Sequence, residues 1–313
     1  MSKPVSGSGH EGEILGLGMS TLDLLQVVDA FPAEGGVSAS HESLLMGGGP
    51  VPTALCAAAR LGAPAAIIDR IGSDWRGTLV EEDYTRHGVA LAGLQRQANA
   101  TTTLAVILVR RSDGERHIVY TPGTFTPFSQ DELPEERLRR AAFLHLNGRH
   151  WPACITAARL VREGGGVTSF DGGAHRWRDE LRDILPLVDI LIVSRDFATR
   201  MSGATSIGTQ LESLSRWNAA LAGITGGEEG SWFRTREGEE FHQPAFPADP
   251  VVDTTGCGDV FHGVFLAARS RGHDWQGCAR FASLAASQNA SALGGRGKLV
   301  DAGQLERLAG SPW

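Results

Sequence analysis

The chain has 313 residues, with 29 Lys or Arg against 36 Asp or Glu, a formal charge of −7. Hydrophobic residues make up 42%, which is ordinary for a globular protein. No basic stripe points to nucleic acid, and no run of 18 apolar residues points to a membrane span.

The first ten residues, MSKPVSGSGH, lack an apolar centre and read as a loose tail rather than a signal peptide. The length allows one large domain or two smaller ones. Gly is in excess, at 40 residues, nearly twice the usual ~7%. The glycines cluster between apolar runs, which implies tight turns and close backbone approaches. Cys56, Cys154, Cys257 and Cys278 stand far apart with no CxxC pair. That argues against a zinc site or disulfide framework and fits a reducing cytoplasm.

The stretch EILGLGMSTLDLLQVVDAFP opens with a buried-type strand ending at Gly16-Leu17-Gly18. VSASHESLLMGG reads as a short strand. VPTALCAAARLG reads as a helix whose alanines permit close packing on a sheet. AAIIDRIG then reads as a strand and GTLVEEDYTRHGV as a helix closing at Gly88. TTTLAVILVRRSDGERHIVYTPG reads as two strands turning at Ser112-Asp113-Gly114. These interruptions lack the apolar residues for a core of their own. They are expected to form a flap on the large unit, over about residues 24–46 and 101–121.

Alternation then resumes. FLHLNG, VTSFDGG, DILIVS and AALAGITGG are strands, separated by helical stretches such as PACITAARLVREGG. SWFRTREGEEFHQPAF reads as a further hairpin. GCGDVFHGVFLAARSRG and WQGCARFASLAASQNASALGG read as two late helices. Strand–helix alternation of this kind implies a mostly parallel sheet with helices on its faces.

The chemistry concentrates in VVDTTGCGDVFHGVF, Val251 to Phe265. Gly256 and Gly258 free backbone N–H groups to converge at a helix start, where the dipole favours an anion. Asp259 falls in the first turn, where a carboxylate can take a proton from a hydroxyl. An anion site beside a base fits phosphoryl transfer to an alcohol. Plain helix capping is the competing explanation of the same residues. No GxxxxGK[ST] occurs, and GLGMST lacks the third Gly of a dinucleotide fingerprint, so P-loop and NAD readings are weak.

Asp253, Thr254, Gly256, Gly258 and Asp259 resemble the DTxGAGD signature of the PfkB, or ribokinase-like, carbohydrate kinases, with Cys257 in place of the usual Ala. MGGGPVPTALCAAARLG, IGSDWRG and ITGGEEGS resemble further family motifs in the right order, so the likeness covers nearly the whole chain. Within the family, GGGPxxTA, HQPAF and VVDTTGxGDVFHG resemble sulfofructose kinases, and HLNGRH resembles a ketohexokinase stretch.

The resemblance implies one ribokinase-like α/β domain over 1–313. It would be a three-layer sandwich with a mostly parallel sheet and a small antiparallel β lid that pairs two subunits. It implies ATP-dependent phosphorylation of the primary hydroxyl of a small sugar, a ketose or an anionic ketose derivative, in the cytoplasm. Mg²⁺ is implied, and a monovalent cation is left open. Asp259 would be the base, and the amides of Gly256, Cys257 and Gly258 the anion hole. Asp23, Gly36, Gly48, Gly49, Thr53 and Arg149 would meet the substrate. Ser194, Thr225, Gly227, Gly230, Thr254 and Gly294 would meet the nucleotide, with Gly294 and Gly295 near the adenine. His242 and His262 are expected to be structural.

Two departures bear on specificity. Thr53 replaces the family's usual Asn, which argues against a nucleoside. Ser194 and Phe197 stand where many members have NxxE, so the metal ligands stay unknown, with Asp196 and Asp253 as candidates. Arg149 suits a sulfonate, phosphate or carboxylate. Val37 stands where sulfofructose kinases have a lid Lys. The open alternatives are a kinase for a keto-deoxy sugar acid, fructose 1-phosphate or a nucleoside, a non-catalytic sensor, and a dinucleotide oxidoreductase.

Overall fold

The computed structural model describes residues 12–313, and the expected tail at 1–10 lies outside them. Short strands of branched apolar residues alternate with Ala-rich helices, as the sequence pattern requires. The first half runs β1 (Ile14–Leu17), β2 (Thr21–Val28), β3 (Glu42–Gly48), α1 (Pro50–Arg60), β4 (Ala65–Gly72), α2 (Trp75–His87), β5 (Ala90–Gln97), β6 (Thr103–Arg110) and β7 (Arg116–Thr121). It continues with α3 (Glu135–Arg140), β8 (Phe143–Leu146), α4 (Ala153–Glu163), β9 (Val167–Gly172), β10 (Ile190–Ser194), α5 (Arg195–Ser202) and α6 (Ile207–Ser215). The remainder is β11 (Leu221–Thr225), β12 (Ser231–Thr235), β13 (Glu240–Gln243), α7 (Cys257–Ser270), α8 (Trp275–Asn289) and α9 (Ala302–Ala309).

The large sheet has the strand order β13-β12-β11-β10-β9-β8-β1-β4-β5. Its pairs are parallel from β11 through β5, and the β11-β12-β13 edge is antiparallel. Helices cover both faces. Residues of α1, α2, α7, α8 and α9 build one core, and residues of α3 to α6 build the other. This is a ribokinase-like three-layer arrangement. Parallel strands buried on both faces need no alternation, which is why every residue of β4 is buried.

Four strands form the second sheet, in the order β3-β2-β6-β7. The expected antiparallel flap is partly corrected here. β2 pairs antiparallel with β3, and β6 with β7, but β2 and β6 run parallel. The long excursion through α1 to β5 separates these two strands in sequence, and a parallel pair needs such a connection. The sequence reading did not pick out β2 as a strand of its own. Asp23 lies within β2, opposite Met46 and Ala105. As expected, this sheet has little core of its own. Leu25, Ala105, Ile107 and Val109 pack with Leu293, which comes from the large unit.

Helices α1 and α7 bring the chemistry together. A Cβ on Gly263 would run into the Ala54 backbone, so this glycine sets how closely the two helices approach. Their N-terminal ends, at Gly49 and Gly256, then open beside one another under the small sheet.

Candidate active site

The turn before α7 is held from below by Asp253, a fully buried side chain. Its Oδ1 accepts from the Thr255 N–H at 2.8 Å and the Thr255 hydroxyl at 2.6 Å. Its Oδ2 accepts from the Gly294 N–H at 2.9 Å. Arg116, reaching over from β7, lies 3.5 Å from Oδ1 and donates to Thr255 Oγ1 at 2.6 Å. The buried Asn289 amide donates to the carbonyls of Thr255 and Gly295 at 3.1 and 3.3 Å. These contacts press Gly256 against Gly295. Gly256 has φ +71°, and a Cβ there would collide with the Gly295 carbonyl, so only Gly fits.

In the first turn of α7 the Cys257 N–H donates to the Thr254 carbonyl at 3.4 Å, while the N–H groups of Gly258 and Asp259 have no intrahelical acceptor. Nothing lies within 4 Å of where a Cβ would stand on Gly258. The wall is therefore open to a ligand on that side.

Two cavities share this wall. The first, about 510 Å³, is lined by Asp23, Gly48, Gly49, Thr53, Asn147, Arg149, Arg176, Thr255, Asp259 and Gly295, with Ile118 and Tyr120 of β7 above. The second, about 690 Å³, is lined by Thr225, Gly227, Gly230, Phe246, Thr254, Cys257, Gly258, Ser287 and others. Thr255 and Asp259 thus line one chamber, and Thr254, Cys257 and Gly258 of the same turn line the other. A small polar molecule on one side and an anion-bearing one on the other would meet at the N-terminus of α7.

The matches to known proteins agree with this geometry. The pattern of the pfkB family carbohydrate kinases matches residues 13–301. The chain belongs to that family. It is 27% identical over 284 residues to an ATP-dependent ribose-1-phosphate kinase from Halopiger xanaduensis, covering 90% of this chain and 93% of that protein. It is 32% identical over 243 residues to the aminoimidazole riboside kinase of Salmonella typhimurium, covering 73% and 75%. An Arabidopsis thaliana ribokinase solved with ribose and ATP has a TM-score of 0.79 at 24% identity, covering 95% of this chain and 98% of that one. That likeness speaks for the fold. The chain is thus a phosphotransferase of the kind that uses an alcohol acceptor, a sugar or nucleoside kinase.

Asp259, in the first turn of α7, lines the first cavity. Burial and the Asp171 carboxylate push its pKa up to about 6, against the pull of Arg176, His262 and Arg296. Asp171, at the end of β9, lies 3.6 Å from Arg176 Nη1 and 3.4 Å from His262 Nε2. Burial works against its ionisation, but those neighbours outweigh burial and hold its carboxyl well below the usual range. His145 packs beside His262, with ring centroids 5.2 Å apart, and burial pushes it down to about 3. It is therefore neutral at pH 7.

Asp23 is half-buried in the lining of the first cavity, and its loss of solvent raises its pKa, while the Thr21 hydroxyl donating to Oδ1 at 2.7 Å opposes the shift. A Cβ on Gly48 would strike this carboxylate, and Gly49 has φ +97°. Those two glycines give Asp23 access to the cavity. Arg149 follows β8 in a loop held by its neighbours. Arg178 donates to the Gly148 carbonyl at 2.6 Å. His150 Nδ1 accepts from the Phe128 N–H, and His150 Nε2 lies 2.8 Å from Asp69 Oδ1 and 2.9 Å from the Gly18 carbonyl. Among the described residues no carboxylate pairs with the Arg149 guanidinium. Burial and the nearby Arg176 and Arg178 cations lower its pKa.

Three expected site residues lie elsewhere. Gly36 sits in the exposed β2–β3 connection, away from both cavities. Ser194 caps α5, its hydroxyl accepting from the Phe197 N–H at 3.2 Å, and lines neither cavity. Gly294 is committed to Asp253, and Gly295 borders the first cavity rather than the second. Both candidate metal carboxylates are engaged. Asp253 is held as described, and Asp196 accepts from the His175 N–H and from Arg200.

His242 and His262 are held by neighbours, as expected. His242 meets the Glu229 carbonyl at 2.8 Å and stacks on Trp232. The sequence reading missed Asp171, Arg176, Asn147, Asn289 and Arg296. Asp171 lies at the C-terminal end of β9, and Asn147 and Arg176 follow the ends of β8 and β9, where open α/β sheets bind ligands, so strand ends were the available signal.

The raised pKa is directly testable. Carbon-detected NMR of the Asp259 carboxyl should show an inflection near pH 6. Asp171→Asn, which removes the repelling charge, should move it to lower pH. An inflection near pH 4 in both proteins contradicts this arrangement.

Proposed function

We propose that the protein transfers the γ-phosphoryl group of ATP to a primary hydroxyl of a small ketose that carries an anionic group. The observation that carries this reading is the shared wall, with Asp259 and an unpaired Arg149 on its sugar side. The sugar hydroxyl donates to Asp259, which is mostly ionised at pH 7 and takes the proton. The new O–P bond forms as the bond to ADP breaks. Amides at 256–258 stabilise the charge on the transferring group, and Arg176 adds a guanidinium from the same cavity.

When bound, Mg²⁺ supplies charge neutralisation on the triphosphate. An ion that keeps its waters and rides on phosphate oxygens suits a site whose Asp253 and Asp196 are already engaged. Thr225, Gly227 and Gly230 would border the nucleotide.

Arg149 supports an anionic acceptor, because an exposed guanidinium on the cavity wall, with no carboxylate paired to it, suits an anion brought with the substrate. Sulfonate, phosphate and carboxylate share that chemistry. Thr53 supports a sugar over a nucleoside. The small sheet is read as a lid and as the surface that pairs two copies. Ile118, Val119 and Tyr120 on β7 are 54%, 73% and 65% exposed, an apolar run that favours cover. The four cysteines are free, which supports a reducing cytoplasm, and no helix among the described residues is long and apolar enough to cross a membrane.

ADP release across a panel of neutral and anionic sugars tests the reaction. Asp259→Asn should lose ~10²–10⁴ in rate. Arg149→Ala should raise KM for anionic sugars and leave neutral ones unaffected. More than about a tenth of wild-type activity in Asp259→Asn removes the base assignment. Light scattering checks pairing: dimers are expected, with Val119→Glu shifting them to monomer, and a monomeric wild type contradicts the lid interface.

A further inference from the structure

Arg296 lies directly beneath the first cavity and is only 6% exposed. Its nitrogens reach three separate elements. Nη1 donates to the Asp83 carboxylate on α2. Nη2 donates to the Gly48 carbonyl at 3.2 Å, at the end of β3. Nε donates to Thr53 Oγ1 at 3.1 Å, in the first turns of α1. Gly47 makes room for it, since a Cβ there would stand 2.6 Å from Nη1.

The direction of the Thr53 contact is fixed by chemistry. A guanidinium has donors only, so Thr53 Oγ1 must accept from Arg296. The Thr53 hydroxyl hydrogen is left over. No other side-chain or backbone partner claims it among the described residues, and Thr53 lines the cavity. It is available to donate into that space. Asp23, in the same floor, offers a carboxylate that accepts when ionised.

We propose that Arg296 is a positioning and specificity-determining residue, which locks Thr53 as an obligate hydrogen-bond donor to the substrate. The inference rests on the sugar-kinase reading of this cavity. The floor then reads polarity. It presents an acceptor at Asp23 and a donor at Thr53, which match two oxygens of a sugar, one donating and one accepting. A substrate that offers only a donor at the second point meets Thr53 donor to donor. The Asp83 bridge keeps the guanidinium from swinging away, and the Gly48 contact ties it to the glycine that gives Asp23 access.

The test uses the sugar that best supports ADP release by wild type, with Thr53→Val, Arg296→Lys and the double variant. Each single change should raise the sugar KM about three- to tenfold, the range of one lost hydrogen bond. The ATP KM should stay within about twofold. Because both changes act on one contact, the double variant should resemble Thr53→Val alone rather than the product of the two effects. Urea unfolding of each variant separates a folding defect from a binding one. Deoxy and deoxyfluoro sugars give an independent reading on wild type, since fluorine can accept but not donate. At one carbon the deoxyfluoro sugar should be retained and the deoxy sugar lost, and Thr53→Val should abolish that difference.

An Arg296→Lys protein that folds and keeps the wild-type sugar KM overturns the role. Fully multiplicative effects in the double variant overturn it too. If Arg296→Lys does not fold, absence of any carbon with the fluorine preference overturns it. No ADP release with any sugar overturns the kinase reading together with this one, whereas ADP release without coupling overturns only the role of Arg296.

Discussion

The buried carboxylate of Asp253 is the constraint on which the site depends. A carboxylate removed from water must find donors or lose its charge. Here it finds the Thr255 amide and hydroxyl and the Gly294 amide, with Arg116 close by. Those donors come from two segments far apart in sequence, and satisfying one group joins them. Once joined, Gly256 has to abut Gly295, and α7 has to start there, between the two chambers. The small sheet is tied in as well, because Arg116 belongs to β7. A movement of that sheet would be felt at the anion site through one side chain.

Electrostatics in the sugar-side cavity follow from the same crowding. Asp259 and Asp171 repel, which raises Asp259, while Arg176 and His262 take the Asp171 charge. The result separates two carboxylates into different roles. Asp171 stays ionised and engaged with its partners. Asp259 is poised near pH 6, close enough to neutrality to accept and release a proton. Arg149 lines the same cavity with no carboxylate of its own among the described residues.

Much of this was legible in the sequence, for identifiable reasons. Strand–helix alternation gives the large sheet because parallel strands must be buried between helices. TTGCGD gives the turn because only Gly tolerates the φ of residue 256, and a first-turn Asp has few places to point. Thr225, Gly227 and Gly230 also reach the second cavity. Gly36, Ser194 and Gly294 line neither cavity, for a shared reason. Their motif positions are local, but what they touch is decided by tertiary contact. Gly36 is in an open loop, Ser194 is used as a cap, and Gly294 serves Asp253. β2 was missed because TLDLLQVV lacks clean alternation. Its central positions meet both the lid core and the cavity. Arg296 left no local trace at all, because its partners at residues 48, 53 and 83 lie more than 200 positions earlier.

The central claim is that one turn separates sugar from nucleotide and serves both. A crystal structure with a non-hydrolysable ATP analogue and the turned-over sugar tests it most directly. The expected result puts the γ-phosphate against the amides of residues 256–258. The sugar's primary hydroxyl should lie within ~2.6–3.2 Å of an Asp259 oxygen. A nucleotide bound away from that turn, or a sugar hydroxyl directed away from Asp259, would contradict it.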